Sequence, residues 1–405
     1  MIGEQDVRER LQAIEVPAAR LRVETLVAGG RKRVLRRRAV RASCGVALAT
    51  GLLVGVPSLL LRPADQPPDQ AAAAPTAGAS PSMSAGPREP MADPGLPTVR
   101  CGATSLPVPA GMTAVQPAGV DPSGRYVIGN DLRASDRSTP EGKVAGVGDS
   151  RPILWTDGQP QVLPKLGDWV SVSAVNAGGV VAALAGTKDN GSDSVLRYTG
   201  GVPEKLNPPP GKWTFSQAMI NAKGDVLANA GRPGSDDRTD AVLLWKAGSR
   251  TATKLPLPAY AEARSITGDG TIVGFVISAT GHATSYAWDQ QGKARELTTP
   301  AGQQGTVTAA RGDWATGNLW PSGAVARWNL RTGKATELPV DAPANGINNA
   351  GWITSSGTVL RTDANVELAP ANAVKGEPMA ISDTGLVVGL PFDGSSGVIT
   401  WRCDR

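Results

Sequence analysis

The chain has 405 residues, enough for one large domain or two ordinary ones. Only 19% of the residues are charged, whereas 49 are Gly and 33 are Pro, a composition that favours tight turns over long helices. The net charge of +5 comes from residues 1–62, which hold 12 Arg/Lys and 5 Asp/Glu, whereas residues 63–405 hold 29 and 31. This balance excludes a basic nucleic-acid-binding domain from the larger part of the chain.

The N-terminal segment predicts a membrane anchor. Residues 1–41 form a basic tail with seven Arg/Lys between Arg31 and Arg41, and the twenty residues Ala42–Leu61 carry no charge. Twenty helical residues span about 30 Å, the thickness of the hydrocarbon core of a bilayer. By the positive-inside rule, the N-terminus is then cytoplasmic. We therefore expect a single-pass signal anchor in the cell membrane, with the C-terminal domain extracellular.

Two other export signals compete with this prediction. A cleaved signal peptide needs a small-residue cleavage site soon after the apolar stretch, where this chain has Arg62 and Pro63. Arg37 and Arg38 would suit a twin-arginine signal, although a twin pair says little within so basic a run. Residues 62–97 follow as a Pro/Ala/Ser-rich linker, which we expect to be an extended, disordered spacer.

Residues 98–405 predict an all-β fold built from a repeat. The third copy contains four β-rich segments, QAMIN, DVLANAG, AVLLW and TATKLPLP, separated by turns. An aromatic residue ends the third segment of most copies, and Trp155 to Trp401 covers six intervals of about 41 residues. Four strands with a period of roughly 40–50 residues are typical of a β-propeller blade. The aromatic residues are Trp155, Tyr198, Trp245, Trp288, Trp328 and Trp401.

A turn motif marks the first two strands of each copy, as in GINNAGW and AVNAGG. The Asn, Asp or Ser accepts a hydrogen bond from its own turn, and the Gly three residues later supplies a positive φ. The fifth copy, VTAARGDWATGN, lacks the Asn, and the sixth is degenerate at its third strand. We predict seven four-stranded blades, with six to eight possible. The copies begin at Gly119, Ala174, Met219, Ser265, Val307, Gly346 and Ala380.

The seventh copy ends without a fourth strand, and the missing strand is predicted at the other end of the domain. Residues 101–112, CGATSLPVPAGM, match the fourth-strand pattern and would close the ring, which removes open sheet edges. Cys101 precedes this strand and Cys403 follows the third strand of the last blade. In a closed ring the two cysteines become neighbours, so we predict a disulfide between them.

The repeat resembles the HAF-type extracellular repeat proteins of bacteria. GINNAGW, VNAGGVVAALAG, ITGDGTIVGFV and ISDTGLVVGL carry the resemblance across residues 98–405, and all but the first are followed by an apolar stretch ending in an aromatic residue. It implies a propeller-like module and supplies no catalytic residues. The His that names the family, before the third strand, is replaced here, for example by Arg151. The basic tail, single apolar segment and Pro/Ala linker look like many actinobacterial membrane-anchored proteins.

Little in the sequence favours catalysis. The single His of the chain, His282, lies in the predicted loop SATGHATS, where a solvated side chain is expected. With one His, a zinc site of ordinary composition is not expected, and no Gly-rich phosphate loop or sialidase-type box is present. A carboxylate pair for glycoside hydrolysis remains open, because acids distant in sequence can meet in the fold.

Aromatic residues near the inter-blade loops are the better candidates for a binding site. Trp169, Trp213 and Tyr260 stand seven to eight residues before the turn residues of their blades, and Trp320 lies in the loop after the second strand of the fifth blade. These loops share one face of a propeller, where exposed aromatics would suit sugar or peptide stacking. The alternative is that these aromatics cap the grooves between blades.

Acidic loops give a weaker candidate for calcium. The loops TKDNGSDS and RPGSDDRTD are rich in carboxylates, although their spacing matches no recognised calcium loop. No other cofactor is expected. The calcium candidates are Asp189, Asp193, Asp236, Asp237 and Asp240.

The sequence therefore predicts a membrane-tethered, extracytoplasmic propeller that acts as a binding or protein-interaction module. Its partner would be a protein or a glycan, with no nucleic acid. Two alternatives stay open, namely a carbohydrate-active hydrolase or lyase with acidic residues at the funnel, and a structural envelope protein.

Overall fold

The computed structural model describes residues 93–132, 135–139, 142–146, 150–187, 191–233, 239–278 and 280–403. The predicted anchor and residues 62–92 of the predicted linker lie outside these ranges. The described residues form strands and turns, and none of their segments is a helix capable of crossing a membrane. The all-β prediction for the C-terminal domain is confirmed.

The strands form seven successive sheets, each corresponding to one copy of the repeat, and all are antiparallel except for one parallel strand added to the last. Strand β1 (Thr98–Ser105) comes before the first blade in the chain. Blades 1 to 4 contain β2 (Val115–Val120), β3 (Tyr126–Leu132), β6 (Ser150–Thr156) and β7 (Gln159–Val162); β8 (Trp169–Val175), β9 (Val181–Gly186), β10 (Ser192–Thr199) and β11 (Val202–Leu206); β12 (Thr214–Ile220), β13 (Val226–Gly231), β14 (Ala241–Trp245) and β15 (Ala252–Lys254); β16 (Ala261–Ile266), β17 (Ile272–Ile277), β18 (Ala283–Trp288) and β19 (Ala294–Glu296).

The remaining blades follow the same order. Between the second and third strands of blade 1 the chain inserts a hairpin of two strands that the sequence did not predict, β4 (Ser135–Thr139) and β5 (Gly142–Gly146). Blades 5 to 7 contain β20 (Gln304–Arg311), β21 (Trp314–Trp320), β22 (Ala324–Asn329) and β23 (Ala335–Asp341); β24 (Ala344–Ile347), β25 (Ile353–Ser355), β26 (Thr358–Leu360) and the segment β27 (Asn365–Leu368); β28 (Gly376–Ile381), β29 (Leu386–Pro391) and β30 (Ile399–Cys403).

The ring closes as the sequence predicts. Strand β1 pairs antiparallel with β30, so the first strand of the domain completes the last blade. Cys101 lies directly opposite Cys403 in this pairing, and the two form a disulfide that links residues 302 positions apart. The closing strand covers residues 98–105, however, which is earlier than the predicted 101–112.

Blade 6 departs from the predicted four strands. Its own sheet holds only β24, β25 and β26, and β27 instead pairs in parallel with the outer side of β1. The third strand, β26, has only three residues and so presents a short edge to a fourth strand. Strand β1 extends past its pairing with β30, and its residues Thr98–Cys101 pair with β27 along a longer edge than the three residues of β26 offer.

The first strand of every blade lines a central channel, and the second, third and fourth strands follow at increasing distance from it. Each first strand contains a β-bulge, which lies three residues before the turn position in six of the blades. In blade 3 the bulge lies at Ser216, two residues earlier relative to its turn position than in the other blades. Bulges bend a strand and re-aim its side chains, so they shape the channel wall.

The repeated Trp residues pack between blades, as the sequence predicts. Trp155, Trp245, Trp288, Trp328 and Trp401 are each 0% exposed. The indole N–H of Trp155 donates to the Pro107 carbonyl at 2.8 Å, beyond the fourth strand of the preceding blade. The indoles of Trp245, Trp328 and Trp401 make the equivalent bond to Asn207, Thr298 and Ala369. Each such bond ties one blade to its neighbour while satisfying a buried donor.

The turn motif also links blades. Asn176 Oδ1 accepts hydrogen bonds from the backbone of its own turn at Gly178 and Val180, each at 3.0 Å. The Gly three residues on, Gly179, has a φ of 71°, as predicted. In addition, Asn176 Nδ2 donates to the carbonyl of Asn221, the turn residue of the next blade, at 3.2 Å. Asn176 and Asn348 therefore close one turn with the side-chain oxygen and hold the next with the nitrogen, whereas Asn221 Nδ2 donates to Asp225 of its own turn.

Candidate functional site

The propeller has two faces, which carry different loops. The loop face carries the connections between blades and those between the second and third strands of a blade. The turn face carries the Asn-Gly turns and the connections between the third and fourth strands. The central channel lies between the first strands, is bordered by residues of the turn face, and has a cavity volume of about 600 Å³. This volume lies within the range of small-molecule sites.

Two of the predicted stacking residues are buried. Trp169 is 1% exposed and Trp213 is 8% exposed, so neither ring is available to a ligand. The Trp169 indole packs between the second and third blades, and that of Trp213 donates to the Pro209 carbonyl at 2.9 Å. The Arg232 guanidinium lies 3.9 Å from the Trp213 ring and covers it. These two aromatics cap inter-blade grooves, the alternative that the sequence left open.

The other two predicted residues are exposed. Tyr260 is 47% exposed and Trp320 is 53% exposed, and both lie on the loop face, in blades 4 and 5. Tyr260 has a φ of 63°, a left-handed conformation that residues other than Gly adopt uncommonly. Such residues are enriched at functional sites, where the surrounding structure holds them in place.

Further apolar side chains lie on the same face. Of the eight exposed large hydrophobic residues in the described ranges, six are on loop-face segments. The sequence reasoning missed four of them, although Phe392 could have been found, because the repeat places it in the loop equivalent to that of Trp320. We call these six residues the apolar loop-face set: Val108, Leu166, Tyr260, Ile277, Trp320 and Phe392.

The channel wall is mostly small and polar. The wall also contains Arg264, whose guanidinium is paired with other side chains. Its Nη2 lies 2.7 Å from Glu262 Oε1, and its Nη1 donates a hydrogen bond to Gln217 Oε1 at 3.2 Å. Ser173 and Thr308 hydroxyls donate to backbone carbonyls of the next blade at 2.8 and 2.9 Å. These side chains hold neighbouring first strands together around the channel.

The carboxylates that line the channel are already engaged. Asp313 pairs with Arg331 at 2.7 Å, and both oxygens of Asp383 accept hydrogen bonds from Asn349 at 2.9 Å. Asp269 accepts hydrogen bonds from Thr267 and Thr271. Burial alone would raise the pKa of Asp269, but these hydrogen bonds outweigh it and hold the pKa below its usual value.

One acidic residue has a shift in the opposite direction. Burial raises the pKa of the Glu377 carboxyl, even though this carboxyl accepts a hydrogen bond from the Gly357 amide at 3.1 Å. Glu377 lies on β28, and the residues that line the channel in this strand are Met379, Ala380 and Ile381 instead. The acid with a raised pKa therefore stands apart from the carboxylates at the channel.

The calcium candidates do not meet in the described residues. Asp193 is exposed and accepts a hydrogen bond from Ser194, and Asp240 is exposed and accepts one from the Arg232 amide. Asp189, Asp236 and Asp237 lie outside the described ranges. Within those ranges no group of three or more His, Cys, Asp and Glu side chains could hold a metal ion. His282 is exposed in the loop between β17 and β18.

Comparison with solved structures shows the fold. The chain is similar to the β-propeller domain of the Trilobed protease from Pyrococcus furiosus, described as having an open velcro topology, with a TM-score of 0.50 and 10% identity over 71% of this chain and 95% of that one. It is also similar to a catalytically inactive virginiamycin B lyase from Staphylococcus aureus, with a TM-score of 0.49 and 17% identity over 75% and 99%.

A puromycin-hydrolysing peptidase from Mycobacterium tuberculosis is similar at a TM-score of 0.39 and 15% identity, over 70% of this chain and 44% of that one. No protein-family model matches the chain, and no curated protein sequence matches it either. Likeness at this level of identity shows a β-propeller and leaves function to the site itself.

Proposed function

We propose that the propeller is a binding module that engages a protein or glycan ligand through its loop face. The main support is that most of the exposed large hydrophobic residues in the described ranges lie on this one face, as the apolar loop-face set. Scattered single hydrophobic residues are ordinary on a protein surface, but a concentration on one face is typical of an interaction site. Tyr260 and Trp320, on adjacent blades, supply the aromatic surfaces suited to stacking.

The proposed location is outside the cell membrane, tethered through Ala42–Leu61. The apolar stretch and the preceding basic run support the tether and its orientation. The Cys101–Cys403 disulfide supports an oxidising compartment, since such bonds are rare in the cytosol. The turn motif supports a relationship to HAF-type repeat proteins, which belongs to the same proposal.

A hydrolase or lyase that works through channel carboxylates is less well supported. Such an enzyme needs a pair of carboxyl groups in which one has a raised pKa. The channel carboxylates Asp269, Asp313 and Asp383 are engaged with neighbouring groups, and Glu377 stands apart from them. A structural envelope role has no specific observation in its favour.

The test compares two faces of the same protein. We expect a double variant of the full-length chain, Tyr260→Asn and Trp320→Ala, to bind cell-wall glycan fragments at least about tenfold more weakly by calorimetry. Asn is chosen at position 260 because it tolerates the left-handed conformation. The control is Val202→Ala, which removes a 68% exposed residue from the turn face.

If no glycan binds, a photo-reactive residue at position 320 should cross-link a protein in intact cells that the same residue at position 202 does not. Equal labelling at both positions, together with no glycan binding, contradicts the proposal.

A further inference from the structure

Blade 5 breaks the repeat at the point where the channel opens on the turn face. In the other six blades the turn position holds a short polar residue that hydrogen-bonds within its own turn, namely Asp121, Asn176, Asn221, Thr267, Asn348 and Ser382. Blade 5 has Arg311 there. Its hairpin is closed instead by the direct pairing of Arg311 with Trp314 across Gly312 and Asp313. The Arg311 side chain is therefore not needed to close a turn.

The Arg311 side chain lines the channel and is half-buried. Within the described part of the chain its guanidinium makes no hydrogen bond and no ion pair, whereas the neighbouring channel arginines Arg264 and Arg331 are both paired with carboxylates. Burial lowers the pKa of Arg311, while the charges of Asp383 and Asp121 act in the opposite direction. The group stays charged, since an arginine is protonated throughout the ordinary pH range.

The two nearby acids act on Arg311 through their charge, but neither makes a hydrogen bond or an ion pair with it, and both accept hydrogen bonds from other groups. Both Asp383 oxygens accept from Asn349, and Asp121 accepts from the amides of Ser123 and Tyr126, each at 2.7 Å. A partly desolvated guanidinium without a protein partner has five N–H donors to offer. The Arg311 nitrogens are not among the fully buried polar atoms, so they face the open channel, where the oxygen atoms of a ligand can reach them.

The charge around Arg311 restricts the ligand further. Asp269, Asp313 and Asp383 line the same end of the channel. Asp313 is paired there with Arg331, but Asp269 and Asp383 form no ion pair within the described residues. These two carboxylates repel a multiply charged anion more strongly than a single carboxylate, and they attract a nearby positive group. A planar carboxylate also matches the fork of a guanidinium, with two parallel hydrogen bonds.

We infer that the turn-face end of the channel is a binding site for a small ligand with one carboxylate group, which Arg311 holds. A zwitterion fits best, with its carboxylate on Arg311 and its ammonium group toward the surrounding acids. This site lies on the opposite face of the propeller from the apolar loop-face set, and it does not depend on the function proposed for that face.

The experiment uses phenylglyoxal, which modifies accessible arginines, on the full-length chain, with each site mapped by mass spectrometry. The probes are free glycine, acetate and inorganic phosphate at equal concentration. We expect Arg311 to react, and glycine to slow its reaction more than acetate and much more than phosphate. Arg100, which is exposed on β1 away from the channel and is paired with Glu367, is the internal control and should show no such order. An unreactive Arg311, no protection by glycine, or protection by phosphate equal to that by glycine would overturn the inference.

Variants give a second readout. Arg311→Gln should weaken glycine binding, measured by calorimetry, at least about tenfold, and Arg311→Lys should weaken it less, because Lys keeps the charge but loses the fork. Both variants should keep the melting temperature of the unliganded protein within a few degrees, because the guanidinium has no protein partner. A clear loss of stability in both variants would assign Arg311 a structural role instead.

Discussion

At the scale of single residues, the repeated Asn has two tasks, and only one of them is visible in the sequence. Its oxygen closes the local turn, a task that Asp or Ser performs equally well, as Asp121 and Ser382 show. Its nitrogen reaches the next blade, as Asn176 does to Asn221 and Asn348 does to Ser382. Among the residue types found at the turn position, only Asn carries its acceptor and its donor on two separate atoms, so Asn176 and Asn348 can close one turn and hold the next at the same time.

We expect Asn176→Asp to lower the free energy of unfolding by about 1–3 kcal/mol, because the Asn221 carbonyl loses its donor and a carboxylate faces it in a buried site. Equilibrium urea unfolding at neutral pH would measure the change. The control is Asn372→Asp, on an exposed residue, which should stay within about 0.5 kcal/mol of the parent. Equal effects at the two positions would contradict the inter-blade role of the amide.

At the scale of elements, the Trp residues near the ends of third strands make one set of the contacts between blades. The indole of Trp328 is fully buried and donates to the Thr298 carbonyl at 3.0 Å. Trp288, in the preceding blade, is equally buried, but its indole nitrogen has no partner among the described residues. The two residues are equally buried but differ in the hydrogen bond of the indole nitrogen, so they can be compared directly.

Replacing each Trp by Phe should separate these contributions. Both variants lose similar buried area, but Trp328→Phe also leaves the Thr298 carbonyl without its donor, whereas Trp288→Phe removes an unsatisfied group. We expect Trp328→Phe to be less stable than Trp288→Phe by about 1–3 kcal/mol, measured by chemical denaturation. An equal or reversed order would show that packing alone determines the role of these residues.

At the scale of the whole molecule, stability depends on how the ring is closed. Strand β1 completes the last blade and its Cys101 is bonded to Cys403, so the two ends of the domain are held together. In the chain-entropy model, a bond that closes a loop of this length restricts the unfolded chain more than a short-loop disulfide does. The parallel strand β27 adds to this edge and further covers β1.

Removing the disulfide should therefore have a large effect on stability. We expect the Cys101→Ser/Cys403→Ser double variant to lose up to about 5 kcal/mol of unfolding free energy, and reductant to destabilise the parent by a similar amount. Reductant should leave the double variant unchanged. Cys44→Ser, which changes the third cysteine of the chain, is the control and should behave like the parent. A parent chain unaffected by reductant would contradict the closing role.

The sequence by itself determined the repeat and most of its consequences. The spacing of Trp residues and Asn-Gly turns predicts blade number, strand order, ring closure and the disulfide, because these follow from local turn chemistry and a period that must close on itself. It could not determine which aromatics are buried. Trp169 and Tyr260 stand at similar positions in their blades, yet the packing of neighbouring blades covers one and leaves the other exposed. Nor could it show that Arg311 lacks a partner, because the groups around it come from blades distant in sequence and meet only when the channel forms.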